Sequence, residues 1–346
     1  MFLGFQHLFY NIYMSTARKF IFLISLLLVA SASYLIFKVN CGFSFTDPNS
    51  LTIESLRNRK YAGSDISIEE ILPSENEYDR YITSYYSEGL KIYALLFVPN
   101  TDMPENGFPV IILNHGYIIP KLYTPEGNYL SYADSLARAG YIVFKPSYRG
   151  HGNSEGLPTS AYFAPDYIID DLNAIASIKK YPDADSDKIG IWGHSMGGNI
   201  SLKVAEVSND VKAVSLWSGV VGSIEDIVYK WQDETSYKPD VLDLKLRNEN
   251  KATLVRKYGK PSEDSDYWIS IDPVFHLGDI NVPVQLQTGL SDTQVPPSFS
   301  RSLYEKLKSL GKSVELFEYT GANHDINQSF AQAMGETIIF FDKYVK

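Results

Sequence analysis

The chain has 346 residues, 45% hydrophobic and 21% charged, enough to bury a sizeable core in one large domain or two smaller ones. A formal net charge of -10 with no basic stripe argues against a nucleic-acid partner. A single cysteine, Cys41, excludes an internal disulfide framework, and the scattered Asp and Glu show no metal-ligand spacing.

Phe20 to Phe37 is uncharged and strongly apolar, preceded by Arg18 and Lys19 and followed by Lys38. It meets the length of about 18 residues expected of a spanning helix and exceeds the ~7–15-residue core of a secretory signal. A transmembrane anchor is therefore favoured over a signal peptide, for which Ala30-Ser31-Ala32 offers only a weak cleavage site. A buried core helix fits poorly, because the run is apolar all round. Arg18 and Lys19 would keep residues 1–19 cytoplasmic and place the rest outside, membrane-anchored or, after cleavage, secreted. Met14 is an alternative start, and residues 37–40 do not form a lipoprotein box before Cys41.

Residues 38–79 read as a polar linker with a short helix from Ile53 to Arg59, ahead of a catalytic domain spanning 80–346. Tyr81–Tyr86 and Lys91–Val98 are expected to form a hairpin turning at Ser87-Glu88-Gly89. Pro109–Asn114 is a continuous apolar run, as in a strand buried on both faces. Helices are expected over Tyr129–Ala139, Tyr167–Lys180, Pro297–Leu310 and Gln328–Tyr344, and further strands over Tyr141–Lys145, Ile189–Trp192, Val211–Trp217, Pro283–Thr288 and Ser313–Tyr319. Val221 to Leu277 reads as a charged, mostly helical cap insertion in which Trp231, Tyr267 and Trp268 either line a pocket or form the cap's own core. The alternation predicts an α/β fold with a mainly parallel central sheet and helices on both faces, with ligands gathered beyond the carboxyl ends of the strands.

Gly193-His194-Ser195-Met196-Gly197 fits G-x-S-x-G between a predicted strand and a helix. The spacing is steric in origin. The two glycines allow a tight bend on which Ser195 projects its hydroxyl, and Met196 presents its N–H at a helix start, where the amide is unpaired. A serine hydroxyl needs a base. Of six histidines, His7 precedes the membrane segment, His194 lies on the wrong side of the turn, His115 and His151 sit in Gly-flanked loops, and His276 reads as a packing residue. His324, after the last strand, remains as the base. Asp292, after the preceding strand, is the acid that would orient it; Asp272 before Pro273 and Asp325 beside the base are the alternatives. The second oxyanion donor is assigned to the N–H of Tyr117, beside Gly116, with His115 bracing that loop. Arg149 and His151 are read as loop braces rather than substrate ligands.

The elements NHGY, YRGHGNSEG, GHSMGG, GLSDTQVP and GANHD, in this order, resemble an α/β-hydrolase. More narrowly, residues 81–346 are similar to the catalytic domain of the prolyl oligopeptidase family and its propeller-less esterase relatives. The resemblance implies acyl-bond hydrolysis through an acyl-enzyme, with Ser195, Asp292 and His324 as triad and no metal or organic cofactor. The chain departs from the peptidases in lacking a propeller, in carrying Met196 after the nucleophile, and in showing no Glu pair placed to grip a peptide amino terminus. The expected substrate is thus a small ester, with a short peptide or amide as the alternative and an inactive membrane-tethered binding protein as the reading from another class.

Overall fold

The computed structural model describes residues 47–159, 161–231 and 241–346. The expected cytoplasmic stretch 1–19 and membrane segment 20–37 lie outside the described residues. Among the described residues no helix is long and apolar enough to cross a membrane.

The strands are β1 (Ser67–Ile71), β2 (Tyr78–Ser87), β3 (Leu90–Pro99), β4 (Phe108–Asn114), β5 (Ile142–Pro146), β6 (Ala184–His194), β7 (Ala213–Trp217), β8 (Val284–Gly289) and β9 (Val314–Tyr319). They form one nine-stranded sheet in the order β1-β2-β3-β5-β4-β6-β7-β8-β9. The β1–β2, β2–β3 and β3–β5 pairs are antiparallel, and every pair from β5 to β9 is parallel. The parallel strands β4, β5, β7 and β8 are buried along their whole length; they are largely apolar, and the polar residues among them, such as Lys145, Gln285 and Gln287, are buried with them.

The helices are α1 (Ile53–Asn58), α2 (Leu130–Arg138), α3 (Asp166–Ile178), α4 (Met196–Val207), α5 (Val241–Tyr258), α6 (Asp266–Ile271), α7 (Pro297–Ser309) and α8 (Phe330–Tyr344). On one face, Tyr132, Ala133 and Leu136 of α2 and Ala333, Met334 and Phe341 of α8 share a core with Ile111, Leu113, Val143, Trp192 and Trp217 of the sheet. Elsewhere α3 and α4 pack on each other, α3 against β2 and β5, and α4 against β4, β6 and β7. Polar bonds fix α8 in register. Trp217 Nε1 and Gln287 Nε2 donate to Thr337 Oγ1 at 3.0 and 2.7 Å, and Gln287 Nε2 also donates to the Ala333 carbonyl at 3.0 Å.

The chain order reverses around β4: β5 lies on one side of it and β6 on the other. Open sheets bind ligands beyond such a switch point. Pairing of Asn114 with Gly193 puts the end of β4 directly beside the G-x-S-x-G turn.

The linker expected over 38–79 is corrected from Asp47 onward, because Asp47–Lys346 is one compact unit. Helix α1 buries Ile53 and Leu56 against the body, and Arg57 Nη2 donates to the Glu206 carbonyl at 2.9 Å and to Asp279 Oδ2 at 2.8 Å. The same stretch supplies β1, an edge strand exposed at every residue. Replacing Ile53, which is 0% exposed, with Ala should cost about 2–5 kcal/mol in urea denaturation of the purified chain. A true linker would show no change.

Candidate active site

Strand β6 runs straight into the turn, and Ser195 takes φ 55° and ψ -118°, a region strained for a residue with a side chain. Three backbone bonds hold it there. Its N–H donates to the Trp217 carbonyl at 3.0 Å, and its carbonyl accepts from Gly198 and Val220 N–H, each at 3.0 Å. The glycines are required by contact. A Cβ on Gly193 would collide with Ser201 Oγ, one on Gly197 with the Asn114 carbonyl, and one on Gly198 would stand 2.7 Å from Gly219 Cα. Helix α4 begins at Met196, so that amide lies in the first turn, where N–H groups have no intrahelical acceptor.

Asp292 sits in the loop after β8 with its side chain wholly buried. Its Oδ1 accepts from the N–H groups of Gln294 at 2.7 Å and Val295 at 2.9 Å, and its Oδ2 lies 2.8 Å from His324 Nδ1. The other two bonds fix the carboxylate, so His324 carries its proton on Nδ1 and leaves Nε2 as the basic nitrogen. A side chain on Gly289 would collide with the Ala322 and Asn323 carbonyls, so the His324 loop crosses β8 only because that residue is glycine.

The loop after β4 is braced from several sides. His115 Nδ1 donates to the Gly116 carbonyl at 2.7 Å, and its ring lies 4.7 Å from that of Tyr123 and 4.5 Å from that of Tyr148. Burial holds His115 well below the usual histidine range and His151 down at about 4, so both rings are neutral braces, as the sequence suggested. Asn114 Nδ2 donates to Asp171 Oδ2 at 2.8 Å and to Ser201 Oγ at 3.0 Å. Arg149 is also a brace. It meets Asp170 Oδ1 at 2.7 Å, Asp166 Oδ1 at 2.6 Å and Glu88 Oε2 at 3.1 Å, clamping the β2–β3 turn to α3.

The rejected acids have structural partners. Asp272 accepts from Ile224 N–H at 2.7 Å and Val274 N–H at 3.1 Å, capping a turn as expected, and the Asp325 carboxylate faces His194 Nε2 at 3.7 Å. His276 Nε2 bonds the Ile269 carbonyl at 3.0 Å. In the insertion, Trp231 Nε1 donates to the Gln294 carbonyl at 2.7 Å, beside Asp292. Trp268 Nε1 bonds the Gly259 carbonyl at 3.2 Å, within the insertion, whereas Tyr267 stacks on Tyr258 at 3.5 Å and donates its hydroxyl to the Pro48 carbonyl at 2.9 Å, tying the insertion to the segment before α1. Sequence reasoning missed Tyr129 and the partner role of His194: the Tyr129 hydroxyl lies 2.7 Å from His194 Nδ1 and accepts from Gly116 N–H at 2.9 Å. Among the described residues no group of three or more His, Cys, Asp or Glu is arranged to hold a metal.

A strained serine between strand and helix, with a carboxylate-paired histidine on a neighbouring loop, defines a serine hydrolase of the α/β type. The chain belongs to the prolyl oligopeptidase family, whose profile matches residues 128–346. It is 28% identical over 254 residues to the uncharacterized peptidase YtmA of Bacillus subtilis, covering 73% of this chain and 89% of that one. The fold matches the acylaminoacyl peptidase of Pyrococcus horikoshii with a TM-score of 0.61 at 21% identity, over 78% of this chain and 43% of that chain. It matches the acetyl xylan esterase of a Paenibacillus species with a TM-score of 0.61 at 17% identity, over 84% and 92%. The α/β-hydrolase fold with a mostly parallel sheet is thereby established.

Burial pushes the Asp171 carboxyl up to about 7. Its folded value lies above its unfolded value of about 4, so its contribution to stability is present below about pH 4 and is lost as pH rises through about 7. Asp171→Asn keeps an acceptor for Asn114 without the charge. Its thermal midpoint relative to wild type should therefore be higher at about pH 8 than at about pH 5. An equal offset at both pH values would show that the carboxyl titrates normally.

Proposed function

We propose that the chain hydrolyses carboxylic esters of small molecules through an acyl-enzyme. The observation that carries this reading is the buried Asp292–His324 pair at 2.8 Å, with the His324 ring 4.5 Å from that of His194, the residue before the strained Ser195. Ser195 Oγ attacks the ester carbonyl as its proton passes to His324 Nε2, and Asp292 stabilises the imidazolium. The tetrahedral oxyanion is held by the N–H groups of Met196, in the first turn of α4, and of Tyr117, in the loop after β4. Collapse expels the alcohol, which takes the proton from His324. Water, deprotonated by His324, then attacks the acyl-enzyme, releasing the carboxylic acid and restoring Ser195.

An ester is favoured because Met196 follows the nucleophile, where the resembling peptidases more often carry a tyrosine, and because no Glu pair in the sequence is placed to grip a peptide amino terminus. Similarity to YtmA, which is described as a peptidase, favours short peptides as the second reading. Wild type should label with a fluorophosphonate probe, and Ser195→Ala and His324→Ala should not. Asp292→Asn should lower kcat by about 10⁴-fold. Hydrolysis of p-nitrophenyl esters should exceed that of aminoacyl and peptidyl anilides in kcat/KM; the reverse order would make the enzyme a peptidase. Failure of folded wild type to label would return the inactive binding protein.

From Phe20–Phe37 we infer a membrane tether that holds the catalytic unit on the extracytoplasmic side. The full chain should sediment with membranes through carbonate extraction, and a form lacking residues 1–46 should not. Release of the full chain by carbonate would refute the tether.

A further inference from the structure

We propose that Tyr129 and His194 are positioning residues that lock the loop carrying Tyr117 to the loop carrying His324 across the serine turn. This rests on the catalytic reading above and adds to it two residues that do not touch the reacting atoms.

The protons in this chain of bonds have one consistent assignment. His194 Nε2 lies 3.1 Å from the His324 carbonyl, which only accepts, so Nε2 carries hydrogen. The ring is buried, and burial together with the neighbouring His324 holds it well below the usual histidine range, so it is neutral and Nδ1 is an acceptor. Tyr129 Oη, 2.7 Å away, therefore donates to Nδ1 and accepts Gly116 N–H at 2.9 Å. The Asp325 carboxylate, 3.7 Å from Nε2, favours the same tautomer. The polarity runs in one direction, from Gly116 N–H to the Tyr129 hydroxyl, to His194, to the His324 carbonyl.

Sterics and strain show that the arrangement is built. A Cβ on Gly116 would stand 2.5 Å from Tyr129 Oη and 3.0 Å from Ser195 Cβ, so the hydroxyl is fitted directly against the serine turn. Tyr129 has φ 65°, a costly conformation for a tyrosine that persists only where the surroundings over-determine it. From the first turn of α2, Tyr132 Oη donates to the Asp325 carbonyl at 3.1 Å. The start of α2 thus grips both the oxyanion loop and the His324 loop. The His194 and His324 rings lie 4.5 Å apart, so movement of one displaces the other. What the relay fixes is the separation between the Tyr117 N–H and His324 Nε2, and errors of about 1 Å in such geometry cost about 10²-fold in rate.

Full-length wild type, Tyr129→Phe, His194→Gln, His194→Leu and the Tyr129→Phe/His194→Leu double variant should be compared by fluorophosphonate labelling rate, p-nitrophenyl acetate kinetics and thermal melting. Tyr129→Phe keeps the ring and removes only the hydroxyl. It should lower labelling rate and kcat by about 10–100-fold with KM within about twofold. His194→Gln, which retains a donor toward the His324 carbonyl, should recover most of the loss seen in His194→Leu. The double variant should lose little more than the worse single variant, since the two residues act as one unit. Labelling and kcat of Tyr129→Phe at wild-type values, beside a wild type that labels, would overturn the relay alone. So would losses in kcat that follow only the unfolded fraction. Wild type that does not label would overturn the catalytic reading and the relay with it.

Discussion

The backbone of Ser195 sets the terms for the rest of the molecule. A residue with a side chain is held at φ 55°, at a cost of about 1–3 kcal/mol, and its own N–H and carbonyl make the three bonds that offset this. For those bonds to form, β7 must end at Trp217 beside the turn, and the chain after it must return Val220 N–H to the serine carbonyl. The turn also requires α4 to start against β4, which is possible only because Gly197 has no side chain to meet Asn114. One strained residue therefore dictates the spacing of β4, β6, β7 and α4.

Around that turn the loops are held by buried polar groups more than by apolar packing. Arg149 binds three carboxylates on two elements, and Asn114 bridges Asp171 and Ser201. Lys145 is fully buried and donates to the Pro125 and Asn128 carbonyls at 2.5 and 2.6 Å, tethering the segment before α2; burial lowers it to about 7. Such groups cost desolvation energy and contribute little net stability. Unlike an apolar contact, however, each accepts only one geometry, and a site that depends on sub-ångström placement gains from that directionality.

What was legible in the sequence was what local chemistry encodes. The turn glycines, the apolar β4 run and the polar loops after β8 and β9 carry their signals within a few residues, so Ser195, Asp292 and His324 could be singled out by position and elimination, and the last two lie within hydrogen-bond distance. The first half of β6, Ala184–Lys188, was missed because it is polar, and it is a strand only through the pairing of Ala184 with Phe108. Strand β1 was missed for the same reason. Ser67–Ile71 has no alternation to read, and pairing with β2 alone makes it a strand. Tyr129 and His194 are separated by 65 positions, and nothing local marks either as the other's partner. Trp231 and Trp268 are the same residue in the same insertion, yet one bonds the acid loop and the other packs inward. Residue type cannot separate fates that packing decides.

The acid loop couples the insertion to the Asp292–His324 pair. Gln294 donates its N–H to Asp292 Oδ1 at 2.7 Å, while its carbonyl accepts Trp231 Nε1 at 2.7 Å. A single residue thus joins the Asp292 carboxylate to the insertion. Trp231 also meets the Tyr162 ring edge-on at 6.1 Å, and Tyr162 in turn lies under the Arg247 guanidinium of α5 at 5.5 Å. At the other end of the insertion, Asp272 ties back to Ile224, just beyond the chain that closes on Ser195. The insertion is therefore fastened to the acid loop through Trp231, while the Asp272–Ile224 bond ties its two ends to each other. Displacing Trp231 acts directly on Gln294, and through it on the carboxylate that sets the tautomer of His324. Changes at Trp231 should therefore also be read in kcat, since its partner Gln294 and Asp292 share one stretch of backbone.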